Sequence, residues 1–361
     1  VALGATFTDF AGWSMPVKYS SDLAEHHAVR TAAGIFDISH MGEISVRGEG
    51  AGEFLDGVLA GRLSALQLMQ AKYTLLLNDA GGVVDDLIVY RNGDHEFLVV
   101  ANASGREVVA RTLSAAAVGV GDVVVDDVSD GIALIAVQGP SAQSILERTV
   151  GLAVAPGQAS FADVRYYRAT AATFNESRVF VGRTGYTGED GFELYVGVAE
   201  AEALWTALSA AGAPLGLVPA GLACRDTLRL EAGMPLYGHE LGEHVLPTQA
   251  GLGRVVALSK EGDFVGRAAV EAGPDEDAPV LVGLVAEGRR AGRAGYAVLD
   301  ADGSPVGEIT SGALSPTLGH PIALAYVHPD SSAIGTSLTL DVRGSRIPAT
   351  VVAPPFYSRK K

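Results

Sequence analysis

The chain has 361 residues, of which 19% are charged, with 26 Lys and Arg against 42 Asp and Glu and a formal charge of −16. A length near two to three times the roughly 150 residues of a typical domain, with 48% hydrophobic residues, excludes wholesale disorder and predicts two or three packed domains. The acidic balance argues against a nucleic-acid backbone or an anionic membrane as partner, because both are bound through basic contacts.

In chain order, residues 43–46 read as a strand and 51–59 as an amphipathic helix with Phe54, Val58 and Leu59 on one side. Residues 73–77 and 83–90 read as strands around an Asn78-Asp79-Ala80-Gly81-Gly82 turn, and 97–101 as a third. A helix over 104–117 and a strand over 123–125 complete a β-α-β-β-(β)-α-β order, a split-βαβ, ferredoxin-like unit with an added strand. The order recurs from residue 132. Strands are expected over 132–137, 164–169, 179–183 and 192–196, with helices from Gly139-Pro140 to about 150 and over 199–210. A helix over 219–232 leads into an irregular stretch. The run Ala272-Gly273-Pro274-Asp275-Glu276-Asp277-Ala278-Pro279 marks the clearest boundary. Beyond it, short strands at 280–285, 297–299, 322–327 and 338–342, with hairpin turns at 300–303 and 343–345, predict a small all-β barrel or sandwich. The expected domains are therefore 1–130, 131–273 and 274–361, the first two able to exchange segments.

No apolar run reaches the ~18 residues of a transmembrane helix. The start lacks a basic segment followed by a long apolar stretch, and Val1 in place of Met leaves a removed leader open. A cytoplasmic location is the expectation. The single cysteine, Cys224, builds neither an intrachain disulfide nor a Cys-rich metal site, and is read as a buried thiol.

Four groups of residues invite chemistry. His239 and His244 flank Glu240 and Glu243, but metal-protease histidines stand four apart on a helix and these stand five apart, around Gly242. A polar loop is the better reading. The loop Gly185-Tyr186-Thr187-Gly188-Glu189-Asp190-Gly191 matches neither a dinucleotide nor a phosphate fingerprint. Flanked by Arg183 and Glu193, it is a tight turn or a cradle for a planar heterocycle. Asp85-Asp86 lies in an apolar strand, where neighbours point to opposite faces. One carboxylate facing solvent would turn the other inward, where it needs a partner or a purpose. The alternative is a strand-end residue bonding the turn. Arg225, Asp226, Arg229 and Glu231 sit on a helix and read as a solvated face or, for Arg225, something more. His26, His27 and His40 lack metal-ligand spacing and are expected to be hydrogen-bonded or exposed.

Together these residues resemble the glycine cleavage T-protein family, the tetrahydrofolate-dependent aminomethyltransferases. The resemblance runs nearly end to end. Its carriers are Asp9-Phe10-Ala11-Gly12-Trp13 and the rest of 9–17, then 27–30, 34–41 with Ser39-His40-Met41, and 81–90 with Gly81-Gly82 and Asp85-Asp86. They continue with 183–193, Arg225 to Gly233, 307–312 and 315–319. The resemblance implies an α+β fold of three domains in a cloverleaf around a central folate channel, two ferredoxin-like mixed domains and a C-terminal β-barrel. It implies transfer of a one-carbon unit from the aminomethyl-dihydrolipoyl arm of the H-protein to tetrahydrofolate. The products would be ammonia, 5,10-methylenetetrahydrofolate and the reduced carrier, with no metal involved.

By the same resemblance Asp86 is the catalytic carboxylate and Glu193 reads the pterin amino group and ring N–H. Arg225 and Tyr357 bind the ligand, and Tyr73, Asn102 and Tyr186 line the channel. Strand geometry adds that only one of the aspartates reaches the channel, so Asp85→Asn is expected to be mild. His239 and Cys224 depart from the commoner family residues, glutamine and a small residue, and both are expected to adjoin the site. Two rivals remain: a folate-dependent demethylase of another small donor, and a folate-binding iron–sulfur assembly protein, whose Lys-Gly-Cys motif is absent here.

Overall fold

The computed structural model describes residues 3–359. Two sheets and a barrel organise the chain. The first sheet has five antiparallel strands in the order Gln70–Leu77, Val83–Gly93, Glu96–Ala101, Gly42–Arg47, Val124–Asp127. Helices Ala51–Val58 and Arg106–Ala116 cover one of its faces. Ile44, Val46, Leu55, Val89 and Val99 are sealed between them, each with no exposed surface. Val89 belongs to this core and Tyr90 to another, as the two-residue period of a strand requires.

The second sheet runs Leu152–Val154, Ala169–Phe174, Ser177–Gly182, Gly191–Gly197, Ile132–Gln138, Ala33–Asp37, Leu217–Pro219. Its outer face packs under helices Ala142–Arg148 and Ala201–Gly212 through Val137, Val181, Phe192 and Leu194. The remaining faces of the two sheets meet, and Tyr90, Val100, Leu134, Ala136 and Tyr195 fill the seam. Membership of the second sheet crosses residue 130. Ala33–Asp37 pairs antiparallel with Ile132–Gln138 and parallel with Leu217–Pro219. The last domain is a closed six-stranded barrel, which selects barrel over sandwich.

The structure departs from the sequence reading at several points, adding the strands Ala33–Asp37, Leu152–Val154 and Leu217–Pro219 and the helix Arg267–Ala272. The N-terminal segment carries a hairpin, Thr6–Phe10 with Trp13–Lys18, and the helix Asp22–Thr31. The hairpin turns at Ala11 and Gly12, both at positive φ, the geometry of a two-residue primed turn, without the Asn-Gly that advertises one. The expected strand over 164–169 begins only at Ala169. Tyr167 is in the left-handed region (φ 60°), which ends an extended run. Its carbonyl accepts from Ala71 N at 2.9 Å and Ala169 N donates to Met69 O at 2.8 Å, so the bend stitches the two sheets together. Among the strands of the barrel, Pro305–Leu314 and Ser345–Val352 are additional to those expected.

Helix Leu222–Glu231 joins all three units. Glu231, at its end, is fully buried and accepts from Ser315 Oγ (2.5 Å), Thr317 Oγ1 (2.7 Å) and Thr317 N (3.0 Å) of the barrel. Arg30 donates to it at 2.7 Å and also reaches Glu189, within the glycine-rich loop, at 3.0 Å. Arg229, two residues earlier, pairs with Glu240 (3.0 Å) and Ser311 Oγ (2.8 Å). Arg229 and Glu231 thus form a buried joint rather than a solvated face, because the barrel covers them, while Asp226 stays exposed.

Candidate active site

Where the inner faces of the sheets diverge, a cavity of about 480 Å³ opens. The first sheet supplies Asp86, Tyr73 and Asn102 to its lining. Asp86 Oδ2 accepts from Tyr73 Oη at 3.0 Å and Oδ1 from Asn102 Nδ2 at 2.8 Å. Burial raises the Asp86 pKa, opposed by these two bonds, which favour the carboxylate.

Asp85 points the other way, as alternation demands, yet it does not reach solvent. It has no exposed surface and accepts from Asn102 Nδ2 (2.8 Å) and Asn102 N (3.1 Å). Gly105 makes this possible, since a Cβ there would collide with the Asp85 carboxylate. Burial pushes the Asp85 carboxyl up to about 7. Asn102 is therefore clamped by one aspartate while it holds the other.

The second sheet supplies Glu193, and the loop after Ser177–Gly182 supplies Tyr186. The loop's glycines have a packing reason. Side chains at Gly185 or Gly191 would strike Gln138, whose Nε2 donates to Thr184 O at 3.0 Å and whose Oε1 accepts from Thr187 Oγ1 at 3.0 Å. Gly188 has φ 78°, open to glycine at no steric cost. Arg183 and Asp190 close the loop's base with an ion pair at 2.6 Å. Glu193 turns inward and accepts from Thr184 Oγ1 at 2.5 Å. Burial raises its pKa, and the Thr184 bond and the Arg225 charge oppose the rise.

Tyr186 donates to Pro235 O, and its ring lies under the Arg225 guanidinium, 4.7 Å from centroid to Cζ. Arg225 makes no side-chain hydrogen bond among the described residues, so its donors are available to a ligand on the cavity side. Burial lowers its pKa.

Six of the seven residues singled out from the sequence therefore line one cavity. Tyr357 does not. It packs under Arg30, whose Cζ stands 4.2 Å from the ring centroid, and its backbone N donates to Glu231 O at 2.8 Å. The barrel's C-terminal segment is thus tied to the buried joint behind the cavity.

Cys224 is fully buried, with Sγ 3.3 Å from Gly221 O, and is not part of the lining; burial pushes its thiol up. His239 is on the lining, its Nδ1 donating to Thr310 O at 2.9 Å. The described residues contain no cluster of His, Cys, Asp or Glu able to hold a metal, and the His239–His244 stretch is irregular.

His40 differs from expectation. It is buried on the cavity wall, neither exposed nor bonded at Nδ1, with Phe10 edge-on at 5.5 Å. Burial and then the Arg225 charge hold its pKa down at about 3. Its neutral ring and the aromatic walls of Tyr167 and Tyr237 were not legible as site residues, because each is isolated in sequence.

A family model described as the GCVT N-terminal domain matches residues 1–260, and one described as the glycine cleavage T-protein C-terminal barrel domain matches residues 280–358. An aminomethyltransferase of Cutibacterium acnes is 58% identical over 359 residues, 99% of this chain and 96% of the relative. One from Geobacillus kaustophilus is 45% identical, again over 99% of this chain and 96% of the relative. The crystal structure of glycine cleavage system aminomethyltransferase T from Bartonella henselae has a TM-score of 0.89 at 34% identity, covering 99% of this chain and 95% of that one.

Proposed function

The chain belongs to the glycine cleavage T-protein family and is an aminomethyltransferase, and from that premise we propose that its cavity binds tetrahydrofolate and takes the one-carbon unit from the lipoyl arm of an H-protein, with Asp86 as the catalytic carboxylate. The observation that carries this reading is the pairing of two inward carboxylates, Asp86 and Glu193, on opposite walls of one aromatic-lined cavity. Its volume, about 480 Å³, suits a ligand the size of a pterin with part of its tail. The relatives' shared name favours this over a demethylase or an iron–sulfur assembly role.

Tetrahydrofolate, when bound, supplies the ring nitrogen that receives the carbon. Glu193 accepts two hydrogen bonds from the pterin's amino group and ring N–H, a donor pair that matches a carboxylate. Arg225 supplies donors toward the more distant part of the ligand. Asp86 takes the proton released at the reacting nitrogen and offsets positive charge as the carbon moves. Tyr73 and Asn102 hold both Asp86 oxygens, so the group does not rotate away from its proton. The reading includes a cytoplasmic enzyme and a lipoylated carrier as partner. Ammonia release from aminomethylated H-protein, measured with and without tetrahydrofolate, is the test; release that does not depend on folate counts against it.

Two expectations follow from the geometry. Glu193→Ala weakens tetrahydrofolate binding by about 1.5–3 kcal/mol, the range for hydrogen bonds to a charged group, with native circular dichroism. Unchanged affinity in the folded variant removes Glu193 from the site.

The second concerns pH. Asp86 acts as a base only when ionised, and burial raises its pKa, so turnover falls as pH drops through a midpoint above the ordinary carboxylate range. Tyr73→Phe deletes a bond to the ionised form and moves that midpoint higher. A pH–rate profile checks the direction; a downward move contradicts the assignment.

A further inference from the structure

Asp86 and Tyr90 stand four residues apart on the Val83–Gly93 strand and share a face. At a rise of ~3.3 Å per residue, about 13 Å of rigid backbone separates them. Asp86 faces the cavity. Tyr90 has no exposed surface and crosses the seam between the sheets, its ring edge-on to Phe180 at 5.1 Å and to Tyr195 at 5.9 Å. Its hydroxyl stops 2.7 Å from Thr184 Oγ1. Thr184, also buried, donates to Glu193 Oε2 at 2.5 Å.

A threonine hydroxyl has one proton, and here the carboxylate takes it. Tyr90 must therefore be the donor to Thr184, and burial keeps its phenol protonated well above the ordinary range. The space is prepared for this contact. Gly182 pairs with Glu193 across the ladder, and any Cβ there would collide with the Tyr90 hydroxyl. The Thr184 backbone is pinned by Gln138.

We propose that Tyr90 and Thr184 are positioning residues for the reaction, a two-link relay from the strand that carries Asp86 to the side chain of Glu193. One strand then sets both ends of the cavity, and the ligand's recognised edge is held at a fixed reach from the proton acceptor. The inference rests on the reading of Glu193 as a ligand-binding group and goes beyond it by naming what holds that group.

Other groups face Glu193: Arg225 from the Leu222–Glu231 helix, Tyr166 and Tyr167 from the bend before Ala169, Tyr195 on its own strand, and Tyr90. Thr184 alone among the described residues hydrogen-bonds its carboxylate. Its loss therefore leaves Glu193 nearer its buried, neutral form, and the pH at which ligand affinity is lost moves up.

The experiment uses the full chain with tetrahydrofolate as the probe, and compares Thr184→Val, Thr184→Ser, Tyr90→Phe and Glu193→Gln. Kd is measured across pH by calorimetry, with thermal unfolding alongside. Thr184→Val is expected to raise Kd about tenfold or more, as loss of a bond to a charged group does, and to shift the pH midpoint upward. Thr184→Ser, which keeps the hydroxyl, restores both. Tyr90→Phe moves both in the same direction by a smaller factor, about threefold.

Failure to see the serine rescue overturns the relay, since packing alone would then account for the valine effect. A wild-type Kd and pH profile in both Thr184→Val and Tyr90→Phe, with Glu193→Gln impaired, also overturns it while leaving the reading of Glu193 intact. An unimpaired Glu193→Gln sinks that reading and the relay with it. Should Thr184→Val not fold, Tyr90→Phe decides alone: a wild-type profile overturns the proposal.

Discussion

Asp86→Asn is expected to lower turnover by ~10²–10⁴-fold, the range for lost proton-transfer catalysis, while tetrahydrofolate affinity changes far less. The substitution preserves size and leaves one acceptor for Tyr73 or Asn102, so it removes charge and basicity with little loss of shape. Single-turnover ammonia release and a separate binding titration separate the two effects. Equal losses in both would mean that Asp86 holds the ligand rather than moving its proton.

The neighbouring aspartate is not the mild control that strand alternation alone suggests. Asp85 is fully buried and accepts from two donors of Asn102. An asparagine there presents an NH₂ to one of those donors or leaves it unpaired, which costs about 1–3 kcal/mol. Thermal unfolding should register Asp85→Asn as destabilising, with Asn102 loosened from Asp86. If Asp85→Asn abolishes turnover at native stability while Asp86→Asn is harmless, the catalytic face has been assigned to the wrong side of the strand.

The second large effect lies at the joint between the units. Glu231→Ala leaves Arg30, Ser315 and Thr317 facing a hole, with the Arg30 charge still paired on only one side by Glu189. Breaking a buried pair in this way costs about 3–5 kcal/mol. The loss should appear in thermal or denaturant unfolding. A change under ~1 kcal/mol would mean that the joint contributes no more than an exposed pair.

The same group predicts an acid response. Burial would raise the Glu231 pKa, but bonds from His26, Ser315 and Arg30 hold it below its ordinary 4.5, at about 2. A carboxylate depressed on folding contributes stability above the unfolded value and loses it as pH falls toward the folded one. The wild-type chain should therefore lose stability between about pH 4.5 and pH 2 through this group. Glu231→Gln, which has no such proton to bind, should show a flatter acid limb.

Much of the secondary structure was legible from the chain alone. The apolar runs in 83–90 and 97–101, bounded by turn residues, mark strands, and Gly81-Gly82 and Asp300 to Gly303 mark turns because few residues tolerate their backbone. The helix over 51–59 was readable from Phe54, Val58 and Leu59, which all became buried. The Asp85-Asp86 pair and the glycine-rich loop before Glu193 stood out from their surroundings, and the family resemblance picked out Asp86, Glu193 and Arg225, which line one cavity. These signals are local, carried by spacings of two to four residues.

What only the tertiary structure decided is long-range. Residues 33–37 were not marked as a strand by the sequence reading; pairing with Ile132–Gln138 and Leu217–Pro219 makes them one and places them in the second sheet. A charge-bearing helix such as Leu222–Glu231 carries no mark of whether solvent or a barrel 80 residues later will face it. Tyr357 meets Arg30 rather than the cavity because the last strand of the barrel directs it there. Asp85 could be placed on the face opposite Asp86, but its burial depends on the Asn102–Gly105 turn folding over it. Periodicity tells which side of an element leaves water; what covers that side depends on contacts between residues far apart in the chain, which leave no period in the sequence.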